Sequence, residues 1–344
     1  MSAFISNIAI YLPEKKLTNE VLSKSFPAWS PDKILNKTGI AERAIADNSE
    51  TASDLAEKAA IKLFEQGKCQ SSEVDFILFC TQSPDFILPT TACLLQNKLG
   101  CRKEIGALDF NLGCSGYVYG LSLAKGLIET GQVSNVLLLT GDTYSKYLAP
   151  EDHAVRTIFG DAGSATWIKN CPNKNQNQNN KPTRSGLDSG IFAVSFGTDG
   201  QGADNLKINA GGARCPEGSR YLKMNGPEIF AFTLNVVPKV IDQTLQKANL
   251  ELDQIDFFIF HQANAYMLSH LRDKLKIPRE KFIIDLEATG NTVSSSIPLA
   301  LKRAIESGKI EIKNKNKKLL ALMVGFGVGY SWGAVLVNLS EWHA

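Results

Sequence analysis

Apolar residues recur along the chain in two patterns, and together these patterns predict alternating strands and helices. Short runs such as Val136 to Leu139 are apolar on both faces, which is typical of strands in a sheet covered on both sides. Longer stretches repeat an apolar position every three or four residues, as amphipathic helices do. Strands are predicted at 4–10, 75–80, 105–110, 135–140, 191–196, 256–261, 282–285, 319–324 and 332–339. Helices are predicted at 51–66, 90–99, 115–130, 226–248, 263–275 and 297–307. This alternation predicts an α/β fold with mostly parallel strand pairing.

The chain contains two copies of one sequence unit. Gly113 and Gly290 each precede a predicted helix and are 177 residues apart, and the glycines that follow these helices keep the same spacing. The apolar strands that begin at Val74 and Ile255 are 181 residues apart. Either copy alone would expose an apolar sheet face. We therefore predict two duplicated halves that bury their sheets against a shared helix layer.

An Asn- and Gln-rich segment separates the two copies. Residues 173–181 contain no apolar side chain, so this segment cannot bury surface in a core. The predicted organisation is an N-terminal half at 1–172, a linker loop at 173–186 and a C-terminal half at 187–344.

Composition limits the possible functions. The net charge of +2 on 344 residues gives no reason to expect nucleic-acid binding. The seven cysteines form no CxxC pair, which predicts a reducing cytoplasm and no disulfide framework or metal site. No signal peptide is recognisable. The uncharged stretch from Leu319 to Ser340 is long enough to cross a bilayer, but its glycines favour two buried strands joined by a turn.

Cys114 is the best candidate for a nucleophile. Gly113 and Gly116 allow a tight turn from the preceding strand into the next helix. A thiol at the N-terminus of a helix lies near the positive end of the helix dipole, which favours the thiolate. Cysteine is often just a small buried residue, but the other six cysteines lack this combination. We therefore predict that Cys114 is a nucleophile whose thiolate the helix favours.

The duplication supplies two partners for Cys114. Asn291 occupies the position that matches Cys114 in the second copy, and His261 matches Cys80 at the end of a strand. A histidine there could take a proton from a thiol or donate a hydrogen bond to a carbonyl oxygen. Taken alone, His261 could be structural, and Asn291 could be a helix N-cap. Their matched positions favour a Cys-His-Asn site.

A glycine-rich turn at Gly325 to Gly329 offers a further binding element. No helix follows it, so it does not have the arrangement of a phosphate-binding loop. Its backbone N–H groups can approach a ligand carbonyl closely, which makes the turn a candidate oxyanion hole.

Seven stretches together give the chain a specific resemblance to the β-ketoacyl-acyl-carrier-protein synthase III family of the thiolase superfamily. They are Lys37 to Arg43, Ser83 to Cys93, Gly113 to Tyr117, Phe159 to Gly163, His261 to Asn264, Gly290 to Thr292 and Gly325 to Ala334. The resemblance covers nearly the whole chain. It implies a thiolase-like five-layer αβαβα sandwich built from two duplicated halves, and a homodimer.

The resemblance also implies a reaction, a decarboxylating condensation in fatty-acid or specialised lipid or polyketide biosynthesis. Cys114 would accept an acyl group from a thioester, while the backbone N–H groups of Cys114 and Val328 hold the oxyanion. Malonyl-acyl-carrier-protein would then lose carbon dioxide, and His261 and Asn291 would stabilise the enolate that attacks the acyl group. The product is a 3-oxoacyl thioester. No cofactor is expected, and the acyl carrier protein is the expected partner.

Substrate-binding positions follow from the same resemblance. Asn264 and Phe326 are expected to line the substrate site, and Leu88, before Pro89, is expected to reach the acyl pocket of the neighbouring subunit. Enlarging Leu88 should therefore alter the preference for acyl chain length.

The chain departs from the family at the positions that hold the acyl donor. Lys33, Lys37, His153 and Tyr266 stand where well-known members have a Trp or Arg that binds coenzyme A or the carrier protein. Lysine keeps the charge but lacks the planar fork of arginine. We therefore expect a donor bound to the carrier protein to be preferred over coenzyme A, unless Trp29 supplies a substitute stack.

Two functions of other classes remain open at this stage. The first is an acyltransferase on the same fold that uses Cys114 to acylate an amine or alcohol, although such a transfer needs no enolate site. The second is a non-catalytic partner subunit, although such a subunit would not need the cysteine. A hydroxymethylglutaryl-CoA synthase-like reaction is a weaker alternative.

Overall fold

The structure is a computed structural model, and it describes residues 2–171, 190–312, 318–340 and 342. The predicted linker at 173–186 lies outside the described residues. The strands are β1 (Ser2–Tyr11), β2 (Lys16–Thr18), β3 (Glu42–Ala44), β4 (Phe76–Cys80), β5 (Gly106–Phe110), β6 (Asn135–Asp142), β7 (Ala162–Cys171), β8 (Gly190–Thr198), β9 (Leu206–Ile208), β10 (Leu222–Met224), β11 (Phe257–Phe260), β12 (Phe282–Ile283), β13 (Leu320–Gly327) and β14 (Ser331–Asn338). The helices are α1 (Asn19–Ser25), α2 (Pro31–Thr38), α3 (Ala52–Glu65), α4 (Thr91–Lys98), α5 (Gly116–Glu129), α6 (His153–Arg156), α7 (Gly226–Ala248), α8 (Ala265–Lys274) and α9 (Ser296–Glu306).

Two five-stranded sheets repeat one topology. Their strand orders are β1-β7-β6-β4-β5 and, read from the matching edge, β8-β14-β13-β11-β12. In each sheet one strand has two parallel neighbours, β4 between β5 and β6, and β11 between β12 and β13. The duplication predicted from the sequence is therefore confirmed.

Mostly parallel pairing, by contrast, is wrong. The other pairs of each five-stranded sheet are antiparallel. Residues 328–330 alone join β13 to β14, and so short a connection can join only antiparallel strands. The prediction that the uncharged stretch at 319–340 forms two strands joined by a glycine turn is therefore confirmed. In the part of the chain that the structure describes, no helix is long and apolar enough to cross a membrane.

Five layers result from the way each helix buries its apolar side. Leu121 of α5 and Ile297 of α9 pack in one core with residues of both sheets, including Leu78 of β4 and Ile259 of β11. The helices α3 and α4 cover the outer face of the first sheet, and α7 and α8 cover that of the second. Burying one such large apolar side chain contributes about 1.5–3 kcal/mol. The predicted αβαβα sandwich is confirmed.

One long strand, β7, was missing from the sequence prediction. Its centre carries polar side chains that are fully buried, so it lacks the apolar pattern of its neighbours. Ser164 is hydrogen-bonded to Thr140 at 2.7 Å, and Thr166 is hydrogen-bonded to Tyr117 at 3.2 Å, which satisfies these groups inside the core. Cys171 ends this strand. The predicted long helices differ from the observed ones by at most two residues at either end.

Candidate functional site

One cavity brings the predicted Cys-His-Asn set together. Cys114, His261 and Asn291 all line it, with Asn264 and Phe326. Most of the remaining lining is apolar and includes Met224 at the end of β10 and Ile229 in α7. The cavity is therefore mostly apolar and carries a few polar groups, the usual form of a small-molecule site.

Cys114 lies in the turn between β5 and α5, with only 6% of its surface exposed. Two glycines around it leave no space for a side chain of their own. A Cβ on Gly327 would lie 2.9 Å from the Cβ of Cys114, and a Cβ on Gly116 would lie 2.2 Å from the sulfur of Cys80. The strand–turn–helix entry predicted around Cys114 therefore depends on glycine at positions where no larger residue fits.

The expectation that the helix favours a thiolate at Cys114 is wrong for this structure. Helix α5 begins at Gly116, two residues further on. Burial raises the pKa of the Cys114 thiol, the nearby Asp142 carboxyl acts in the same direction, and a hydrogen bond to the residue's own backbone opposes them. Cys114 therefore rests as a neutral thiol and must lose its proton during the reaction.

His261 and Asn291 face each other inside the cavity. His261 Nε2 lies 3.4 Å from Asn291 Nδ2, and His261 Nδ1 lies 2.7 Å from the hydroxyl of Ser296. Burial lowers the pKa of His261 to about 3, opposed by a backbone hydrogen bond with Val293. The imidazole is therefore neutral at neutral pH. The Phe326 ring meets it edge-on, with 5.5 Å between centroids.

The backbone of Asn291 is held by a loop of the other half. Its N–H donates to the carbonyl of Ile158 at 2.9 Å, and its carbonyl accepts from Gly160 at 3.0 Å. The contact is so close that a Cβ on Gly160 would lie 2.2 Å from the carbonyl oxygen of Thr289. Asn291 is not the N-cap of α9, because Ser295 occupies that position and residues 293–295 form an intervening 3₁₀ turn.

Two backbone N–H groups beside the thiol are available to a ligand. Within the described turns, neither the N–H of Cys114 nor that of Val328 donates to a backbone carbonyl. Val328 follows the end of β13, and its own carbonyl accepts a hydrogen bond from Ser331 at 2.9 Å. The arrangement is compatible with an oxyanion hole at the glycine turn.

The predicted donor-binding residues form two groups. In the first, Lys33 Nζ lies 4.7 Å and Lys37 Nζ 5.7 Å from the ring centroid of Trp29, whose ring packs on His153 at 4.7 Å. In the second, Tyr266 packs against Phe230 at 5.6 Å and His270 at 4.3 Å. A Cβ on Gly39, which follows α2, would nearly touch Ala265 at the start of α8, so the helices that carry the groups are adjacent.

Three further predicted residues have distinct positions. Asn264 caps α8 by accepting a hydrogen bond from Met267 N–H at 2.8 Å, and it also lines the cavity. Phe326 is buried against His261. Leu88 is 80% exposed and is not among the residues that line the cavity.

The sequence prediction missed the residues behind the site. Ser296 contacts His261, and Asp142 accepts hydrogen bonds from Gln82 and Ser294. A signal was present, because three consecutive serines at 294–296 lead into a helix whose other face is apolar. Such buried polar side chains need partners, and the partner of Ser296 is His261 in the cavity.

A five-layer αβαβα sandwich with a cysteine, a histidine and an asparagine on one cavity defines a condensing enzyme of the thiolase type. Profiles of 3-oxoacyl-[acyl-carrier-protein] synthase III match residues 108–200, and profiles of its C-terminal part match residues 245–339. The chain is 36% identical to the β-ketoacyl-[acyl-carrier-protein] synthase III of Clostridium perfringens, over 98% of this chain and 99% of that protein. The chain therefore belongs to the 3-oxoacyl-[acyl-carrier-protein] synthase III family.

Solved structures agree with this assignment. A crystal structure of a 3-oxoacyl-(acyl-carrier-protein) synthase III is 48% identical, with a TM-score of 0.91 over 98% of this chain and all of the other. The 3-oxoacyl-(acyl-carrier protein) synthase from Burkholderia xenovorans is 34% identical, with a TM-score of 0.88 over 99% of this chain and 95% of the other.

Proposed function

We propose that this enzyme joins an acyl thioester to malonyl-acyl-carrier-protein by decarboxylating condensation, through an acyl group held on Cys114. The observation that carries the proposal is the convergence of Cys114, His261 and Asn291 on one apolar cavity. The names of its relatives support the acyl-carrier-protein substrate. The product is a 3-oxoacyl thioester of the carrier protein.

In the first half-reaction, Cys114 takes the acyl group. Its sulfur attacks the thioester carbonyl, the bond to the donor sulfur breaks, and the thiol proton leaves with the donor thiol. The raised pKa of Cys114 fits this coupling, because the proton is lost only as the new C–S bond forms. The N–H groups of Cys114 and Val328 stabilise the oxyanion, each donor being worth roughly 3 kcal/mol in comparable sites.

In the second half-reaction, the malonyl thioester loses carbon dioxide. The electron pair of the broken C–C bond moves onto the thioester carbonyl, giving an enolate whose oxygen accepts hydrogen bonds from His261 and Asn291. The enolate carbon then attacks the acyl carbonyl on Cys114, and the C–S bond breaks to release the product and a Cys114 thiolate. The thiolate takes up a proton from solvent, which restores the resting thiol. A neutral His261 suits this role, since the site needs hydrogen-bond donors for a developing negative charge.

We further propose that the acyl donor is bound to the carrier protein and that the enzyme is a homodimer. An adenine that stacked on Trp29 would compete with the contacts that His153 and Lys33 already make with this ring. The basic residues Lys33, Lys37, Arg272, Lys274 and Lys276 can attract an acidic carrier protein by long-range steering.

Intact-protein mass spectrometry tests both parts of the proposal. The enzyme is mixed with acyl groups of several lengths, each on coenzyme A and on acyl carrier protein, and the acyl mass adduct is measured. We expect an adduct that forms faster from the carrier protein and is absent in Cys114→Ala. Cys93→Ala, which removes an exposed cysteine of α4, is the control and should acylate normally. An adduct on Cys114→Ala would exclude this nucleophile, and equal or faster loading from coenzyme A would contradict the donor preference.

Carbon dioxide release separates the proposed reaction from a simple acyl transfer. An acylated enzyme should release carbon dioxide from malonyl-acyl-carrier-protein in step with 3-oxoacyl product. Turnover of an amine or alcohol acceptor without carbon dioxide would favour the non-condensing acyltransferase instead.

A further inference from the structure

We propose that Ser296 is a positioning residue that holds His261 in the tautomer whose proton is on Nε2. The inference deepens the proposed function and rests on it, because His261 can donate to the enolate oxygen only if Nε2 carries a proton. The contact with Asn291 does not decide which ring nitrogen of His261 is protonated. The contact with Ser296 decides it.

The hydroxyl of Ser296 has few partners. Its residue is 1% exposed, at the first position of α9. The oxygen accepts a hydrogen bond from the backbone N–H of Gln262 at 3.3 Å and lies 2.7 Å from His261 Nδ1. Among the described residues, these are the hydroxyl's only hydrogen-bond partners.

The hydroxyl proton therefore has one available acceptor. Gln262 N–H is itself a donor, so the proton of Ser296 can be accepted only by an unprotonated His261 Nδ1. In the other tautomer, Nδ1–H would donate to the hydroxyl oxygen, and the buried hydroxyl proton would have no acceptor. Buried polar hydrogens without partners are rare because they are costly. A neutral imidazole has one N–H, so an unprotonated Nδ1 places the proton on Nε2.

The other side of the ring shows what this assignment offers to a substrate. Asn291 Oδ1 accepts from Val293 N–H at 2.9 Å, which fixes the amide so that its NH₂ group faces His261. With Nε2 protonated, two donors stand 3.4 Å apart on the cavity wall, and a single oxygen atom can accept from both. An enolate oxygen is such an acceptor. In the other tautomer the amide would donate to Nε2, and the imidazole would offer no donor to the substrate.

Histidine NMR reads the tautomer directly in the ligand-free enzyme. Ring ¹⁵N shifts distinguish Nδ1–H from Nε2–H, and His261 is assigned among the four histidines by its absence in His261→Asn. We expect the Nε2–H form in the parent enzyme and a shift toward Nδ1–H in Ser296→Ala. The matched control is Ser295→Ala, which removes a buried hydroxyl bonded to Thr140 at 2.7 Å and to the carbonyl of Ala162 at 3.2 Å.

Kinetics test whether the tautomer matters. Ser296→Ala should slow carbon dioxide release from malonyl-acyl-carrier-protein by about 10- to 100-fold, a loss comparable to that seen when the orienting partner of a metal-ligating histidine is removed. Acyl loading of Cys114 should be retained. Ser296→Thr, which keeps a hydroxyl, should restore the parent tautomer, and Ser296→Ala in a His261→Asn background should cause no further loss.

The outcomes separate this inference from the proposed function. An Nδ1–H parent, an unchanged tautomer in Ser296→Ala, or the same loss in the His261→Asn background would overturn the role of Ser296. A parent that shows the Nε2–H form, lost in Ser296→Ala, but that releases no carbon dioxide would support the positioning role and contradict the condensing reaction.

Discussion

At the scale of single residues, burial decides the chemistry of the site more than local sequence does. The position of Cys114 just before a helix predicts a thiolate, yet burial raises its pKa and keeps the thiol protonated. The same burial lowers the pKa of His261 and keeps the imidazole neutral. The resting site therefore holds a neutral thiol and a neutral imidazole, so negative charge arises only during the reaction, where hydrogen-bond donors can stabilise it.

At the residue scale, a variant of Asn291 tests whether the enolate site acts only in the second half-reaction. The Asn291 amide donates next to His261 Nε2, and in the proposed mechanism it contacts the enolate but not the thioester that loads Cys114. We expect Asn291→Ala to reduce carbon dioxide release by about 100-fold, as the loss of one oxyanion donor does elsewhere. Acyl loading, measured by mass spectrometry on the same preparation, should change little. Equal losses in the two steps would place Asn291 in both half-reactions.

At the scale of elements, the sequence predicts the site residues better than it predicts their surroundings. The spacing of the repeats is enough to match Cys114 with Asn291, because equivalent strand and helix ends meet at equivalent places in a duplicated fold. It could not reveal β7, whose buried Ser164 and Thr166 depend on partners in other elements. The run of serines at 294–296 indicates buried polar groups, but it does not identify His261, 35 positions away, as the partner of Ser296.

At the scale of elements, Gly160 allows a loop of the N-terminal half to pack closely against the backbone around Asn291 in the C-terminal half. A side chain there would lie 2.2 Å from the carbonyl oxygen of Thr289, and this backbone carries Asn291. We expect Gly160→Ala to lower the free energy of unfolding by about 1–3 kcal/mol, the usual cost of overpacking, and to slow carbon dioxide release. Gly126→Ala is the control, because Gly126 lies in α5 with no atom within 4 Å of an added Cβ. That change should stabilise the protein by about 0.5–1 kcal/mol. Similar denaturation midpoints for the two variants would contradict this role of Gly160.

Asp142 makes the free energy of unfolding depend on pH. It ends β6 and joins Gln82 to Ser294, and burial raises its pKa to about 7 from an ordinary 3.8, although these hydrogen bonds oppose the shift. Between these values the folded protein keeps a proton that the unfolded chain releases. The contribution of Asp142 to stability is therefore full below pH 3.8 and declines as the pH rises toward 7.

The comparison of the parent enzyme with Asp142→Asn isolates this contribution. His261 acts in the opposite direction, because its lowered pKa costs stability as the pH falls below 6.5, but it is present in both proteins. We expect the parent to lose stability relative to Asp142→Asn, on the order of 2–4 kcal/mol, between about pH 4 and about pH 8. Urea denaturation at several pH values measures the difference. A difference that stays constant with pH would mean that Asp142 titrates normally in the folded protein.

At the scale of the whole molecule, one edge of the N-terminal sheet has no further strand paired with it within the described part of the chain. β5 is an edge strand of its sheet, and Leu108 at its centre is 46% exposed. Ahead of α4, Ile87 and Leu88 are 87% and 80% exposed on a loop that also carries exposed Phe86. Exposed edge strands and contiguous apolar side chains favour association with another chain. A second copy of this chain would cover both features, in agreement with the homodimer that the resemblance implies.

In the proposed dimer, the side chain of Leu88 enters the acyl pocket of the neighbouring subunit. The size of this side chain should therefore affect which acyl chain lengths are preferred. We expect the parent to sediment as a dimer at assay concentrations. Leu88→Trp should remain dimeric but should shift kcat/KM toward shorter acyl groups by about 10-fold or more, since a larger ring leaves less room for the chain and differences of one or two methylenes are worth that much. Val21→Trp places the same ring at a half-exposed position of α1 and should leave the preference unchanged. A fully active monomer, or a Leu88→Trp variant with the parent's chain-length profile, would show that the cavity of one chain selects the acyl group alone.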